Sequence, residues 1–415
     1  MLYYSESVNF FMGHLPSKLL EDYGSPLYVY NESILRSQAR KIKNFVGLNN
    51  FTVSYSVKAN TNLFLLKILR EEGLHADAMS IGEIFVLEKA GYKPEEIFFV
   101  CNNVSAKEMK YAVDRKIMVS VDSLSQLILY GKNFPNTKVA VRLNPGIGAG
   151  HHQKVVTGGK TTKFGINIEK IQEILDIAKK YNLRIVGINQ HIGSLFMSST
   201  EYLRGAREML ETSLHFKDLE FIDFGGGFGI PYNKQEGQKP LDLDALGLKL
   251  RELLEDWQKT HKQSLEFKSE PGRFVVAEAG VLLGTVHAKK ENYRKIFVGT
   301  DLGFSVLIRP TLYGSHHDIE VYRNDLIVKD EERKPVNITG NICESGDILA
   351  EERMLPIIKE NDILAIMDVG AYGYSMSSNY NNRLKPAEIL LKEDGSIAII
   401  RKKQELEDLL TEFLV

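Results

Sequence analysis

The sequence predicts an α/β protein: a (β/α)8 TIM-like barrel followed by a C-terminal antiparallel β domain. From about residue 51 to about residue 273, eight runs rich in β-branched and aromatic residues alternate with stretches of helical periodicity. Such alternation is typical of a parallel sheet. Beyond about residue 285, strand-like runs follow one another with short turns and few helices between them. We therefore expect a barrel over 31–285 and a β domain formed by 286–415 together with 1–30.

The barrel elements follow one another in a regular order. PLYVY, at 26–30, is predicted to be a strand of the lead-in segment, and Asn31 can cap the helix that follows it. Seven helical patterns separate the eight barrel strands, which are predicted at VSYSVKA, HADAMS, IFFVCN, IMVSVD, KVAVRLN, RIVGINQHIG, LEFIDFGGG and SLEFKSEPGR. A doubly wound open sheet is the alternative, and the count of eight strands favours the closed barrel.

The β domain is predicted from short strands that follow one another closely. They are TVHAKKEN, KIFVGTD, DIEVYRND, KPVNITG, DILAIMD and EILLKEDGSIAIIRK. Within the last of these, Asp394 and Gly395 stand between two apolar runs, which is typical of a hairpin turn. The final QELEDLLTEFL has the apolar spacing of an amphipathic helix.

The composition limits the classes of function. Lys and Arg number 52 against 54 Asp and Glu, a net charge of −2 without long charge runs, which argues against binding to nucleic acid or a membrane surface. Cys101 and Cys343 form no disulfide framework or zinc pattern, which favours a reducing compartment. MLYYSESVNF lacks the features of a signal peptide, and no apolar run is long enough to span a bilayer. We expect a soluble cytoplasmic protein.

Polar residues gather where the barrel strands end, and active sites of such barrels lie at that end. Lys58 closes the first strand, and a lysine held on a stiff element can form a Schiff base when its surroundings lower its pKa. A solvated lysine at a strand end is the alternative for any lone lysine. The other strand ends carry Asp77, Asn102, Asp122, Arg142, Asn144, His191, the glycine run 225–229, Glu270 and Arg273.

The glycine run that closes the seventh strand, DFGGGFG, is suited to phosphate. Consecutive glycines let backbone N–H groups approach a phosphate without a clash from Cβ, although a tight turn alone would account equally well for the run. Glu270 closes the next strand in the segment EPGR. A carboxylate beside a phosphate is explained if the ligand also carries a basic ring nitrogen, because a buried glutamate keeps that nitrogen protonated. Arg273 can bind an anionic group in bidentate fashion, and a Glu–Arg surface pair is the alternative.

The histidines are interpreted by their positions. His191 closes the sixth strand in the segment HIGS, where a flat imidazole can pack on a cofactor ring and Ser194 can donate to a phosphate. A buried structural histidine is the alternative. The pairs His151-His152 and His316-His317 lie in loops without further ligand pattern, so we interpret them as structural or rim residues and predict no metal site.

Together these features point to pyridoxal 5′-phosphate, and the motifs resemble a known family. YSVKAN, HIGS, GGGFG and EPGR resemble the barrel of the fold-type III pyridoxal phosphate-dependent decarboxylases. RPTLYG, CESGD and GAYGYSMSSNYN, with the loop NPGIGAGHHQK and the following TGG and KFGI, resemble the diaminopimelate decarboxylases within that family. The resemblance extends over nearly the whole chain.

The resemblance implies a role for each matching residue. Lys58 matches the Schiff-base lysine, Glu270 the partner of the ring nitrogen, and His191 the residue stacked on the ring. Further contacts to the cofactor are implied for Ser194, Gly225, Gly226, Gly227, Gly272, Arg273 and Tyr372. Contacts to the substrate are implied for Arg273, Arg309, Tyr313, Glu344 and Tyr372. Cys343 matches the catalytic proton donor, and it would reach the partner's cofactor together with Glu344, so the resemblance implies a homodimer with shared active sites.

The activity implied is that of a lyase which decarboxylates meso-2,6-diaminopimelate to L-lysine and CO2, the last step of lysine biosynthesis. Another decarboxylase of this fold, acting on ornithine, arginine or carboxynorspermidine, is the first alternative. Ornithine and arginine have no distal carboxylate for Arg309 to bind. Alanine racemase is disfavoured because an arginine is expected at its ring nitrogen. A non-catalytic pyridoxal phosphate carrier is disfavoured because such proteins resemble the barrel alone.

Overall fold

A computed structural model describes residues 2–146, 149–150, 159, 162–329 and 332–414. The chain divides into two compact units. The barrel unit comprises Arg36–Ile230 and Pro240–Val275, and the β unit comprises Met1–Leu35, Pro231–Lys239 and Val276–Val415. The sequence placed 31–35, 231–239 and 276–285 in the barrel. Strand pairing explains the first and the last of these differences, because Leu27–Asn31 pairs with the start of Gly280–Asn292 in antiparallel register.

The barrel is a closed ring of eight parallel strands, as predicted. In order around the ring they are Phe51–Ser56, His75–Ala78, Ile97–Val100, Met118–Val121, Lys138–Asn144, Arg184–Asn189, Phe221–Asp223 and Glu266–Ser269. The last strand pairs with the first, with Phe267 opposite Phe51, and this pairing closes the ring. The carboxyl ends of all eight strands therefore meet at one rim.

Among the described residues, seven helices separate the barrel strands, and an eighth, Glu32–Asn44, precedes the first strand. The seven are Leu63–Glu71, Ile81–Ala90, Ala106–Asp114, Leu124–Asn133, Ile171–Tyr181, Thr200–Ser213 and Leu243–His261. Several begin at a side-chain cap. Ser105 Oγ accepts a hydrogen bond from the N–H of Glu108, whose carboxylate accepts from the N–H of Ser105. Such caps fix where each loop at the strand ends turns into a helix.

The barrel interior is packed with side chains. Phe98, Val100, Ala140, Val186 and Phe221 form one buried cluster. Gly187 must lack a side chain, because a Cβ there would lie 2.1 Å from the ring of Phe221. The strands are buried on both faces, which explains why their sequences are apolar over most of their length.

The β unit is built on one large sheet. Its strands are Leu27–Asn31, Gly280–Asn292, Lys295–Thr300, Ile319–Arg323, Leu326–Ile327, Arg333–Thr339, Ile348–Pro356, Ile363–Ile366, Ala387–Leu391 and Ile397–Arg401. The hairpin at Asp394-Gly395 is confirmed, with Gly395 at φ +81° and the flanking strands paired antiparallel.

Two strand pairs of the β unit run in parallel. Leu27–Asn31 pairs in parallel with Ala387–Leu391, and Lys295–Thr300 pairs in parallel with Arg333–Thr339. The other strand pairings within the unit are antiparallel. The unit is therefore mostly antiparallel, and the predicted antiparallel β domain is confirmed.

The described chain also contains short helices. Helices Tyr4–Ser7 and Pro16–Tyr23 lie near the N-terminus, and Arg273–Val276 and Arg309–Tyr313 are single turns. The amphipathic helix predicted over 404–414 is wrong, since only the 3-10 turn Leu406–Leu410 forms there. Leu406, Leu410 and Phe413 are exposed, and a short helix needs packing of its apolar face to be stable. Among the described residues no helix has both the length and the apolarity needed to cross a membrane.

A buried cluster of charges anchors the segment Pro231–Lys239 within the β unit. Lys234 Nζ lies 2.6 Å from Asp368 Oδ2 and 3.1 Å from Glu278 Oε1, and it lies 4.5 Å from the ring centre of Tyr4. The Lys234 side chain is 7 % exposed and that of Asp368 is fully buried. The carboxylate of Asp368 depends on the charge of Lys234, because water does not reach it to compensate.

We expect Lys234→Met to lower the free energy of unfolding by about 3–5 kcal/mol, because it leaves the buried carboxylate of Asp368 without its cation. Urea denaturation followed by circular dichroism measures this loss. Lys239→Met, in the same segment but exposed, is the matched control and is expected to change stability by less than about 0.5 kcal/mol. Equal stability of the two variants would contradict the expected dependence on Lys234.

Candidate active site

Lys58 lies on a rigid turn at the rim of the barrel. The strand Phe51–Ser56 passes directly into the 3-10 turn Val57–Ala59, whose first and last residues are fully buried. The N–H of Asn60 donates to the carbonyl of Val57 over 3.0 Å. The N–H of Ser56 donates to the carbonyl of Pro271 over 3.0 Å, which ties the turn to the segment after the last strand. The position of the Lys58 backbone is therefore fixed by the fold.

The charge of Lys58 acts on three buried groups at the same rim. Burial and the charge of Glu270 raise the pKa of Asp77 well above its usual value, and Lys58 opposes this shift. Burial lowers the pKa of His191 well below its usual value, and Lys58 and Arg142 lower it further. Lys58 also opposes the raised pKa of Glu270. The fold thus brings together Lys58, Asp77, His191 and Glu270 from four different strand ends.

Glu270 is buried in a place that favours a cationic partner. Its side chain is 3 % exposed, and Oε1 has no hydrogen-bond partner among the described residues. Burial raises the pKa of Glu270 well above its usual value, and the charge of Asp223 adds to the shift. A buried carboxyl group ionises readily only beside a positive charge, and a protonated ring nitrogen supplies one. This orphaned oxygen therefore fits the predicted cofactor.

Asp223 is a member of the site to which the sequence assigned no role. It is fully buried at the end of the strand Phe221–Asp223, and its Oδ1 accepts from the N–H of Gly225 over 2.8 Å. Burial raises the pKa of Asp223 above its usual value, and its carboxyl group interacts electrostatically with that of Glu270. The position just before three glycines at a strand end was the available signal for this residue.

The three glycines form a cradle that a side chain would fill. A Cβ at Gly225 would lie 2.2 Å from the carbonyl oxygen of Gln190, and Gly225 has φ +74°. A Cβ at Gly226 would lie 1.9 Å from the carbonyl oxygen of Glu270. Gly227, at φ +104°, would place a Cβ 2.4 Å from the carbonyl oxygen of Gly193. Only glycine fits this turn, and the cradle fits a phosphate group whose oxygens accept from backbone N–H groups.

Gly272 lies close to the lysine turn. A Cβ at this position would come within 3.0 Å of Ser56 Cβ and 3.1 Å of Ala59 Cβ. The absence of a side chain at Gly272 therefore lets the segment after the last strand pack closely against the first strand.

We expect Gly226→Ala to weaken retention of pyridoxal phosphate, because the new methyl group displaces the backbone of Glu270 and opens the cradle. The absorbance band of the bound cofactor during dialysis measures retention. Gly82→Ala is the matched control, since its Cβ would meet only Ser80 Oγ at 3.7 Å. Retention by the Gly226 variant equal to that of the control would contradict a role of the cradle.

His191 is held as a neutral ring. The N–H of Gly226 donates to His191 Nδ1 over 3.2 Å, so Nδ1 is the acceptor and the proton of the neutral ring lies on Nε2. The same glycine turn therefore fixes both the phosphate cradle and the orientation of the imidazole. Nearby, Arg273 Nη2 donates to Ser194 Oγ over 3.0 Å. Ser194 and Arg273, which the sequence placed at different strand ends, are direct neighbours.

The predicted substrate residues Arg309 and Tyr313 occupy one short helix of the β unit. The helix Arg309–Tyr313 ends at Gly314, which has φ +60°. Arg309 is 1 % exposed and Tyr313 is half-buried. A fully buried guanidinium is unusual, and it marks Arg309 as a candidate for carboxylate binding.

Cys343 and Glu344 are exposed residues of a loop that is held in place by hydrogen bonds. Asp347 is buried, and its carboxylate accepts from the N–H of Phe304 over 2.7 Å and from the N–H of Ile342 over 3.0 Å. The N–H of Cys343 donates to Asn381 Oδ1 over 2.8 Å. The final Asp of the CESGD motif therefore shapes the loop, and the thiol and the carboxylate that it carries face away from the core.

Tyr372 adopts a backbone conformation that is uncommon for a tyrosine. Its φ is +58°, in the left-handed region. Next to it, a Cβ on Gly373 would lie 2.5 Å from the carbonyl oxygen of Val369. Strained backbone of this kind persists where the surroundings enforce it, and it is concentrated at functional sites.

Only one of the two histidine pairs lies within the described residues. His151 and His152 lie outside the described residues. His316 is partly exposed, whereas His317 is 3 % exposed and hydrogen-bonded to Arg309. Of the two predicted alternatives, structural or rim residue, His317 is therefore structural, because its imidazole is packed within the β unit beside Arg309.

The chain is similar to known proteins over almost its full length. Residues 32–277 match the family of the pyridoxal-dependent decarboxylase, pyridoxal binding domain. The diaminopimelate decarboxylase of Methanothermobacter thermautotrophicus is 40 % identical over 95 % of this chain and 92 % of its own length. That of Buchnera aphidicola from Schizaphis graminum is 36 % identical over 94 % of each chain.

A solved structure shows the same similarity. The crystal structure of diaminopimelate decarboxylase from Helicobacter pylori complexed with L-lysine has a TM-score of 0.86 and 32 % identity to this chain. The match covers 95 % of this chain and 98 % of that one. The resemblance inferred from the motifs is confirmed.

Proposed function

The chain belongs to the diaminopimelate decarboxylase family of pyridoxal-dependent decarboxylases, and from this premise we propose that it is a carboxy-lyase converting meso-2,6-diaminopimelate to L-lysine and CO2. The buried, orphaned Glu270 oxygen beside the glycine cradle is the observation that most supports the choice of cofactor. Pyridoxal phosphate supplies, when bound, an aldehyde for covalent attachment and a ring that accepts the electron pair released as CO2 leaves.

The barrel residues bind and orient the cofactor in this proposal. Lys58 supplies the amine that attaches the aldehyde, and its rigid turn keeps Nζ in place. Glu270 remains ionised beside the ring nitrogen and holds a proton there. The neutral ring of His191 packs on the cofactor ring. Further contacts to the cofactor, including those to its phosphate, come from Ser194, Gly225, Gly226, Gly227, Gly272, Arg273 and Tyr372.

The residues proposed for the substrate select a distal carboxylate. Arg273, Arg309 and Tyr313 bind it, and Glu344 and Tyr372 complete the contacts, with Glu344 on the distal amine. A buried guanidinium matches a carboxylate through two parallel hydrogen bonds. Ornithine and arginine carry no distal carboxylate. Nothing in either compound would therefore offset the cost of burying the Arg309 side chain, which is 1 % exposed.

Measurement of CO2 release tests the substrate. With purified enzyme and added pyridoxal phosphate, we expect meso-diaminopimelate to be decarboxylated with a kcat/KM at least roughly 10²-fold above that for ornithine, arginine or carboxynorspermidine. A preference for one of the other three would assign the protein to the alternative decarboxylases. No release from any substrate by cofactor-loaded protein would favour the non-catalytic carrier.

Cys343 is proposed to give a proton to the carbon that has lost CO2, and to do so in the partner subunit of a homodimer. Its thiol is exposed on a loop fixed by Asp347, which suits contact with a second chain. A hollow of about 570 Å³ beside the loop supports an interface there; it is lined by Phe304, Thr311, Glu344, Gly346, Ser378 and Tyr380. The two cysteines are free thiols, which supports a cytoplasmic location for this last step of lysine biosynthesis. We propose neither nucleic acid nor membrane as a partner.

Mixing two inactive variants tests whether the sites are shared. We expect Cys343→Ala to lower kcat by roughly 10²–10⁴-fold because a proton donor is lost, and Lys58→Ala to be inactive. Co-expression of both variants should restore roughly a quarter of wild-type activity, since half of the dimers then carry one intact site. Cys101→Ala, which removes a buried barrel thiol, is the control for Cys343→Ala. Mixed dimers without activity would contradict shared sites.

A further inference from the structure

Two residues without an assigned role hold the guanidinium of Arg309. Arg309 Nη1 lies 2.7 Å from His317 Nε2, and the guanidinium carbon lies 4.6 Å from the centre of the Tyr232 ring. The three residues are 1 %, 3 % and 4 % exposed in the order Arg309, His317, Tyr232. All three belong to the β unit. The direction of the guanidinium is thus set by an imidazole and an aromatic face.

A backbone carbonyl selects the tautomer of His317 that can accept a hydrogen bond from Arg309. His317 Nδ1 lies 2.7 Å from the carbonyl oxygen of Met367. Because a carbonyl oxygen only accepts, Nδ1 carries the proton and donates it. The lone pair of the neutral ring then lies on Nε2, where Arg309 donates. His317 is therefore built into the fold as a hydrogen-bond acceptor for one arm of the guanidinium.

Tyr232 contacts both Arg309 and His317. Its ring meets that of His317 edge to face, with centroids 5.0 Å apart and planes at 75°. Tyr232 belongs to the segment Pro231–Lys239, where the N–H of Gln235 donates to Asp318 Oδ2 over 3.0 Å and Lys234 is bound to Asp368. The aromatic face that orients Arg309 is thus anchored in the β unit.

Neither contact cancels the charge of Arg309. A neutral imidazole nitrogen and an aromatic face attract a guanidinium without neutralising it. A carboxylate in the place of His317 would compete with an anionic ligand for the same charge. Arg309 has five N–H donors, so one bond to His317 is compatible with a bidentate bond to a carboxylate. The two contacts therefore orient the cation without neutralising it.

We propose that His317 and Tyr232 are positioning residues that direct Arg309 toward the distal carboxylate of the substrate and so set the affinity for that group. This inference rests on the proposed function, in which Arg309 binds that carboxylate. His316 provides the contrast within the same dipeptide, because its Nε2 lies 3.0 Å from Asp318 Oδ1 and 3.2 Å from Arg353 Nη1.

Steady-state kinetics of three variants test the proposal. His317→Phe removes the acceptor, and we expect KM for diaminopimelate to rise roughly 10- to 100-fold with kcat within about twofold of wild type. His317→Gln places an amide oxygen near the site of Nε2 and should restore KM to within about fivefold of wild type. His316→Gln is the matched control and should leave KM unchanged. A fall in kcat at unchanged KM, or an equal effect of both positions, would overturn the proposal.

Inhibition constants separate positioning from general damage. L-Lysine keeps the distal carboxylate of the substrate, whereas 1,5-diaminopentane lacks it. His317→Phe should weaken inhibition by L-lysine roughly 10-fold or more and leave inhibition by diaminopentane unchanged. If both inhibitors weaken equally, or neither weakens, His317 does not act through the carboxylate. If the wild-type enzyme itself does not distinguish the two compounds, the proposed function of Arg309 fails, which is a different outcome from failure at His317.

Discussion

Replacing Lys58 with alanine is expected to remove covalent attachment of pyridoxal phosphate and to lower decarboxylation by at least roughly 10³-fold. The physical reason is that the fold delivers the Lys58 amine to the rim at which the cofactor is proposed to bind. The turn Val57–Ala59 fixes the Lys58 backbone, and its charge acts on Asp77, His191 and Glu270 at the barrel rim. The loss is measured from the imine absorbance band of the purified protein and from CO2 release.

Lys67→Ala is the matched control for this experiment. Lys67 lies on the neighbouring helix Leu63–Glu71, is exposed, and contacts the ring of Phe64. We expect its replacement to leave the imine band and the rate unchanged. A Lys58→Ala protein that keeps the band would show that another residue holds the cofactor.

Glu270→Gln is expected to lower kcat by roughly 10²–10³-fold while the protein stays folded. Glutamine has nearly the shape of glutamate but no charge, so it does not hold a proton on the ring nitrogen. Removing one partner of a buried charge pair costs about 3–5 kcal/mol, and each 1.36 kcal/mol in the barrier is a factor of ten in rate. The rate of CO2 release and the position of the cofactor band measure the two effects separately.

Glu266→Gln provides the control on the same strand. Glu266 begins the strand Glu266–Ser269, and its carboxylate pairs with Lys268 over 3.1 Å. We expect nearly wild-type kcat and an unchanged cofactor band for this variant. If Glu270→Gln retained wild-type kcat, the buried carboxylate would have no part in holding the ring nitrogen.

The sequence was sufficient for the barrel because its signals are local. Each strand is an apolar run bounded by turn residues, and each helix shows its own periodicity, so their number and order follow without knowledge of distant contacts. The nearness of Lys58, His191 and Glu270 also follows, since parallel strands in a closed ring all end at one rim.

Other features depend on contacts that the sequence pattern does not encode. The strand Ile348–Pro356 was missed because it carries consecutive charged residues and because Glu352, at φ +45°, interrupts the alternation of its side chains. The C-terminal segment has helical periodicity but lacks packing for its apolar face. A role for His317 and Tyr232 can be recognised only from their contacts with Arg309, which form when the β unit folds.

Reduction of the cofactor-loaded protein with borohydride, followed by peptide mapping by mass spectrometry, tests the central claim most directly. Reduction makes the linkage permanent, so the modified residue is identified by mass alone and activity is not needed. We expect a single pyridoxyl phosphate group on Lys58, in the segment FTVSYSVKAN. A label on any other lysine, or a protein that binds the cofactor without any label, would contradict the account.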